Sequence, residues 1–394
     1  MSDTGTQVIA VIGSATVGSE VAAMAAAAGA IVLAIDEAPR PYGELESSVP
    51  AWHVAMVGSF MGRIDENLTH PNIKFVPRTT LGRDVTFEAL SALGVTVVDA
   101  TGRGHSSPPA LAGGLELSTG LRTYGELVHW FNLRGHLAWP GPDLELPAHV
   151  AVIGSDLAAF DAARLVSIEL HRRALAERGH VIGPEALARE GIAPTLARLG
   201  VSSAKLGITA VSLVVAEGLD ALLRDAPSTL RGAAIDALKT RDLVNLLPGF
   251  EVGELVASDS ALTTLNLVNA HAEGFAMSLP CELLIDARTQ PATGSALSDV
   301  FARFEPALIH KLWEARLAPA RSDEAAIARG EVLAEAVGSA VRELIRPVVE
   351  QALTAPCPAG TTERAAVWAK ARQEAVGFAD YGEWMGQTRR RWLY

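Results

Sequence analysis

The sequence predicts an α/β protein built from two strand–turn–helix–strand units, and three observations carry that expectation. Val8 to Ile12, a continuous apolar run, and His149 to Ile153 read as strands, each stopped by a glycine, Gly13 and Gly154, that opens a helical stretch. Runs apolar on both faces belong to strands buried between layers of helix. Each helix is followed by a further apolar run, Ile31 to Ile35 and Val211 to Val215, as a parallel crossover requires. Hydrophobic residues make up 49% of the 394 and charged residues 20%, enough for a sizeable core and two or three domains. A parallel sheet with no nucleotide site would read alike over the strands alone.

The elements follow in order. A helix rich in small residues runs from Gly18 to Ala28, Gly29 ends it, and the next strand closes on Asp36. Gly94 to Ala100 forms another buried strand, ending in Thr101-Gly102. Pro140, Pro142 and Pro147 then read as a linker into the second unit, whose helix spans Ala158 to Arg173. Phe250 to Val256, Leu262 to Val268 and Phe275 to Leu279 are short strands, and Cys281 to Ile285 is a further buried one. From Ala325 to Ala352 a long amphipathic helix is expected, kinked near Pro347. Its stripe of Leu333, Val337, Val341, Leu344 and Val348 either packs on the protein's own sheet or forms a partner surface or homo-oligomer contact.

Charge and cysteine content narrow the function. Lys plus Arg is 33 against 45 for Asp plus Glu, a net charge of −12 that argues against nucleic-acid binding. Cys281 and Cys357 form no CxxC pair, so no cysteine-based metal site or dithiol is expected. The acidic, glycine-interrupted N-terminus does not read as a signal peptide, and no run is long enough for a membrane span. A cytoplasmic protein is the expectation. No serine lies in a G-x-S-x-G context and no histidine in HxxH spacing, so neither a hydrolase elbow nor a histidine metal site is predicted. His171, beside Glu169 and Arg172, reads as charged helix surface, and Arg389 to Arg391 as a solvated tail or a dock for an acidic partner.

The two glycine turns carry the chemistry. Gly13-Ser14-Ala15-Thr16-Val17-Gly18 stands where a G-x-G-x-x-G dinucleotide fingerprint belongs, after a strand and opening a helix. Gly13 would make the tight turn, Gly18 would allow close helix packing, and the helix N-terminus would face a pyrophosphate. Asp36 is placed to accept hydrogen bonds from an adenosine ribose. Ala15 replaces the second glycine and sets a methyl at the point of closest approach.

In this order the segments resemble flavoprotein reductases of the adrenodoxin reductase type, close to the small-subunit-like domains of glutamate synthase. The resembling segments are Asp36 to Gly43, Val49 to His53, His70 to Val76, Gly82 to Val85, Val97 to Gly102, Gly154 to Asp161 and Leu283 to Pro291. The resemblance implies two Rossmann-like domains, the second inserted into the first: residues 1–115 and 270–394 for FAD, and 140–269 for a nicotinamide nucleotide. It places Gly13, Ala15, Gly18, Asp36, Gly43, Val76 and Gly102 around FAD, and Leu283 to Pro291 as the strand returning to the flavin domain. His53 then lies near the flavin, either serving it or as a hydrogen-bonded structural residue.

The second turn departs from the family's pattern. Gly154-Ser155-Asp156 sets a carboxylate where a pyrophosphate should meet backbone, and Glu217 stands where arginines would hold the 2′-phosphate of NADPH. Two unit charges about 5 Å apart at an effective dielectric of about 20 repel by roughly 3 kcal/mol. The expectation is a degenerate site, with NADPH binding very weakly and NADH modestly at best. Two readings of function follow. One is an FAD-dependent oxidoreductase passing electrons between a reduced nucleotide or partner protein and an acceptor. The other is a catalytically degenerate homologue that serves as a scaffold or partner subunit of an active enzyme.

Overall fold

The computed structural model describes residues 6–43, 45, 49–101, 120–134, 144–224, 228–272, 274–288 and 323–388. The first domain opens with β1 (Val8–Ile12), α1 (Thr16–Ala27) and β2 (Ile31–Ile35). A 3-10 turn at Ala51–His53 leads into α2 (Val54–Leu68), then β3 (Ile73–Val76), α3 (Phe87–Leu93) and β4 (Thr96–Asp99). These strands form one parallel sheet in the order β3-β2-β1-β4. Every residue of β1 is buried because helices cover both faces. Val11, Val21, Phe60 and Ile64 meet on one face, and Val8, Leu33, Leu90 and Ala365 on the other. Local chemistry sets the helix ends. The Thr86 hydroxyl accepts the Ala89 N–H at 3.1 Å to start α3, and Gly94, at φ 84°, stops it.

The second domain begins with β5 (Leu121–Thr123) and α4 (Tyr124–Leu133), where Thr123 and Glu126 cap each other's backbone N–H. There follow β6 (Val150–Ile153), α5 (Leu157–Glu177) and the shorter α6 (Pro184–Glu190), α7 (Ile192–Leu199) and α8 (Ser203–Leu206). Then come β7 (Ser212–Val215), α9 (Leu219–Arg224), α10 (Ser228–Thr240) and β8 (Asn245–Pro248). An antiparallel meander of β9 (Phe250–Ser258), β10 (Ala261–Asn269) and β11 (Ala276–Pro280) lays Leu255, Leu265 and Leu267 against Ala151, Ile153 and Val214. β12 (Leu283–Asp286) completes a parallel sheet in the order β5-β12-β6-β7-β8.

The chain then returns to the first domain as α11 (Asp323–Thr354), α12 (Thr361–Val376) and α13 (Tyr381–Thr388), so the second domain is inserted into the first. Four expectations need correction or restriction. Leu283 to Asp286 does not return to the flavin-like domain, because it pairs with β5 and β6 in the middle of the second sheet. The second domain is therefore wider than 140–269, taking in β5, α4 and β12. Of the two alternatives for the stripe on α11 the protein's own core takes it, through helices and not a sheet: Leu333, Val337 and Val341 are buried against α1 and α2 together with Ile345 and Val349, and Leu344 and Val348 are partly buried against the same cluster. Burying each such side chain stabilises the fold by about 1.5–3 kcal/mol. Pro140, Pro142, Gly102 and Arg389 to Arg391 lie outside the described residues.

Inside α5, Asp161, Glu169 and His171 are buried rather than solvated. Glu169 is fully buried and receives Arg134, Arg172 and Arg173. His171, read as surface, is 1% exposed, with Nδ1 2.7 Å from the Ser167 carbonyl and Nε2 2.9 Å from Ser203 Oγ. Burial pushes its pKa below the ordinary 6.5, only partly offset by the Ser167 hydrogen bond. Below pH 6.5 the unfolded chain therefore binds the proton more readily than the folded one. The stability held above that pH is expected to fall as the pH drops below it. Urea denaturation at pH 7.5 and 5.5 tests this, and a His171→Gln variant should flatten the difference.

Candidate functional site

Two glycine turns stand at the carboxyl ends of the two sheets, the place where open α/β sheets bind ligands. In the first, Gly13 adopts φ 84° and its N–H donates to the Ile35 carbonyl at 2.8 Å. A side chain at Gly18 would put Cβ 1.8 Å from the Gly13 carbonyl oxygen, so α1 packs on the turn only because that residue is glycine. Ala15 is the N-cap of α1. It sends no side-chain hydrogen bond across the helix end, and the first turn carries no acid. The positive end of the helix dipole thus meets no carboxylate of its own first turn.

Asp36 sits at the end of β2 as expected, but the turn already engages it. Its Oδ2 accepts the Ser14 N–H at 2.8 Å and the Ser14 hydroxyl at 2.5 Å, and Oδ1 accepts the Ala38 N–H at 2.9 Å. Burial raises its pKa, against the lowering effect of the Ser14 bonds. A carboxylate offers about four acceptor positions, so one is left for a ribose hydroxyl. Gly43, at φ 51°, closes the following loop against the turn: a Cβ there would stand 3.0 Å from the Ala15 methyl. Val76 is fully buried in β3 and its carbonyl accepts the Asp36 N–H at 3.0 Å, so the sheet uses it.

His53 lies at the junction of the domains. Its Nε2 is 3.8 Å from Asp161 Oδ1 on α5, both side chains being about nine-tenths buried. Beside it Trp52 meets Phe131 edge-on at 5.3 Å, Arg164 lies over the Trp52 ring at 5.7 Å, and Asn132 Nδ2 donates to the Val49 carbonyl at 2.9 Å. Sequence reasoning missed the roles of Asp161 and Arg164. Two charged residues on the alanine-rich first half of the second unit's helix were the available signal.

The second turn is built alike, with a carboxylate at its helix end. Gly154 adopts φ 142°, and a Cβ there would meet Ala159 Cβ at 2.9 Å and the Ala287 carbonyl oxygen at 3.0 Å. Asp156 is the N-cap of α5 and its carboxylate accepts the Ala159 N–H at 3.3 Å. A fixed anion therefore occupies the helix end a phosphate would use. Ser155 Oγ donates to Glu217 at 2.8 Å, which brings the second acid to the same mouth. Among the described residues no group of three His, Cys, Asp or Glu could hold a metal ion, and no helix is long and apolar enough to cross a membrane.

Two parallel sheets, each with a glycine turn leading into a helix, and one inserted in the other, define a two-domain Rossmann-type dinucleotide-binding fold. No protein-family model matches the sequence, and no curated protein is similar to it. Among solved structures the fold is similar to that of Mycobacterium tuberculosis FprA in complex with NADPH. The TM-score is 0.55 and the identity 18%, over 94% of this chain and 91% of that one. A second structure of FprA, described as an oxidoreductase and showing a covalent modification of NADP+, is similar with the same TM-score, identity and coverage. At this identity the likeness is one of fold.

Proposed function

We propose that this protein is an FAD-dependent oxidoreductase that takes its electrons from a partner protein rather than from a nicotinamide nucleotide. The contrast between the two turns supports this reading: the first leaves its helix N-terminus uncapped, and the second fills its own with Asp156. The first turn fits the adenosine diphosphate half of FAD. The backbone N–H groups at the start of α1 would hold the pyrophosphate, and the remaining acceptor position of Asp36 would hold the ribose. When bound, the flavin supplies the redox chemistry, exchanging electrons with donor and acceptor. The chain's part is to bind and orient, with Trp52, His53 and Asp161 holding one domain against the other.

One observation favours a second reading, a partner subunit that keeps the fold without the chemistry. The Ala15 methyl stands only 3.0 Å from where a Cβ on Gly43 would lie, so turn and loop lie close where they would have to part for a pyrophosphate. The visible spectrum of the purified protein separates the two. Flavin bands near stoichiometry support the oxidoreductase, and a colourless protein that takes up no added FAD leaves the scaffold.

A nucleotide titration tests the second turn. Asp156→Gly is expected to raise NADH affinity roughly tenfold by removing the nearer repulsive charge. It should cost only about a few tenths of a kcal/mol of stability, because glycine is itself a tolerated N-cap, read by thermal melting. Tight NADPH binding by the unmodified protein would overturn this view of the turn.

A further inference from the structure

The loop Pro39–Gly43, which ends against Ala15, is held by the last described helix of the chain. Asp65, on α2, accepts the Tyr42 hydroxyl at 2.9 Å through Oδ1 and 3.0 Å through Oδ2. The same carboxylate accepts the Tyr381 hydroxyl of α13 at 2.5 Å. One side chain thereby ties the loop to a helix whose Tyr381 lies 316 residues beyond Asp65 in sequence. The Trp384 indole N–H donates to the Pro39 carbonyl at 2.5 Å, and Arg40 donates to the Thr388 carbonyl at 3.3 Å while lying over the Tyr42 ring. Tyr381 also meets Phe75 edge-on at 5.4 Å, and Arg78 lies over Trp384 at 5.5 Å.

Two properties of α13 make it the movable member of this arrangement. It has eight residues, too few to persist as a helix without docking. It also follows Gly377, which adopts φ 84° at the end of α12 and lets the chain turn. Undocking α13 therefore melts it and frees the Pro39 carbonyl of Trp384 and Arg40 of the Thr388 carbonyl in the same event, and leaves Asp65 to hold Tyr42 alone. Such local openings need far less free energy than global unfolding.

We propose that α13 is a latch for the Pro39–Gly43 loop, fastened through the Asp65 carboxylate, and that it opens for an adenine dinucleotide to reach or leave the first glycine turn. The cofactor part rests on the flavin reading above. Asp65 is a positioning residue here: it sets the loop and touches neither cofactor nor substrate. The latch itself is a property of the protein alone.

Hydrogen exchange read by mass spectrometry on the full-length apoprotein tests the latch. Asp65→Ala is expected to speed exchange in segments 36–43 and 378–388 together, by about tenfold or more, since each segment loses a charge-assisted hydrogen bond. Asp65→Asn, which keeps a carbonyl acceptor, should give a smaller parallel rise. Tyr381→Phe removes a single hydroxyl and gives the same readout if Asp65→Ala fails to fold. Faster exchange in 378–388 with 36–43 unchanged would overturn the latch. With FAD, flavin fluorescence in stopped flow should show association and dissociation both accelerated about tenfold in Asp65→Ala with affinity little changed, the signature of a gate. Weaker affinity with an unchanged association rate would overturn the gate. No FAD uptake by the unmodified protein would overturn the flavin reading and the entry role, while parallel exchange would still establish the latch.

Discussion

Gly18→Ala is expected to cost about 3 kcal/mol or more, because the added methyl would meet backbone and not a side chain that can swing aside. Its Cβ would fall 1.8 Å from the Gly13 carbonyl oxygen, and Gly13 is itself held by its N–H bond to the Ile35 carbonyl at 2.8 Å. Relief needs α1 to lift off the sheet, which uncovers the core under Val17, Val21 and Ala22. Denaturant unfolding measures the loss, and any bound flavin should be lost with it. Gly62→Ala is the control. It lies inside α2 with nothing within 4 Å of the added Cβ, so it should be neutral or stabilise by up to about 1 kcal/mol. Equal stabilities for the two variants would refute the steric account of the turn.

The second large effect belongs to Glu169. Replacing it by alanine leaves Arg134, Arg172 and Arg173, each at most a third exposed, without their shared carboxylate. Breaking a buried ion cluster in this way costs about 3–5 kcal/mol. The loss should appear in the second domain, since Arg134 ends α4 and Arg173 also donates to the Leu144 carbonyl at 3.2 Å. Burial alone would raise the Glu169 carboxyl, but the hydrogen bonds from Arg172 and Arg134 outweigh it and bring the pKa from 4.5 down to about 2. The stabilisation is then complete above pH 4.5 and disappears as the pH falls through about 2. A shift of this size is worth roughly 3 kcal/mol. Acid titration of stability should show that slope in the unmodified protein and lose it in Glu169→Ala. An unchanged slope would mean that the cluster is not what holds the carboxyl charged.

The strands were readable because burial on both faces demands an unbroken apolar run, and β1, β2 and β6 satisfy that demand over their whole length, β7 from Leu213 onward. The first turn was readable because only glycine fits at 13 and 18. What escaped was whatever depends on which layer an element joins. Leu283 to Asp286 is apolar in either sheet, and only its register with Val150 to Ile153 assigns it to the second. The α11 stripe was visible, yet its most buried residues include Ile345 and Val349, rotated one position from the expected Leu344 and Val348. His171 looked like surface because Glu169 and Arg172 flank it. Glu169 is itself buried, through partners at 134, 172 and 173 that no local pattern assembles. The meeting of Tyr42, Asp65 and Tyr381 left no trace in sequence, since it joins three elements by tertiary packing alone.

The insertion of one domain into the other has a consequence for how the protein is made. The face of α1 and α2 that α11 covers is synthesised early, but its cover waits until residues 102–322 have been made. At roughly 5–20 residues per second that delay is on the order of ten to forty seconds. The inserted domain, whose strands all lie between Leu121 and Asp286, has its whole core on hand well before then. The nascent chain thus meets the cell with a finished middle and an open apolar face at its head, and the domain begun first is the one completed last.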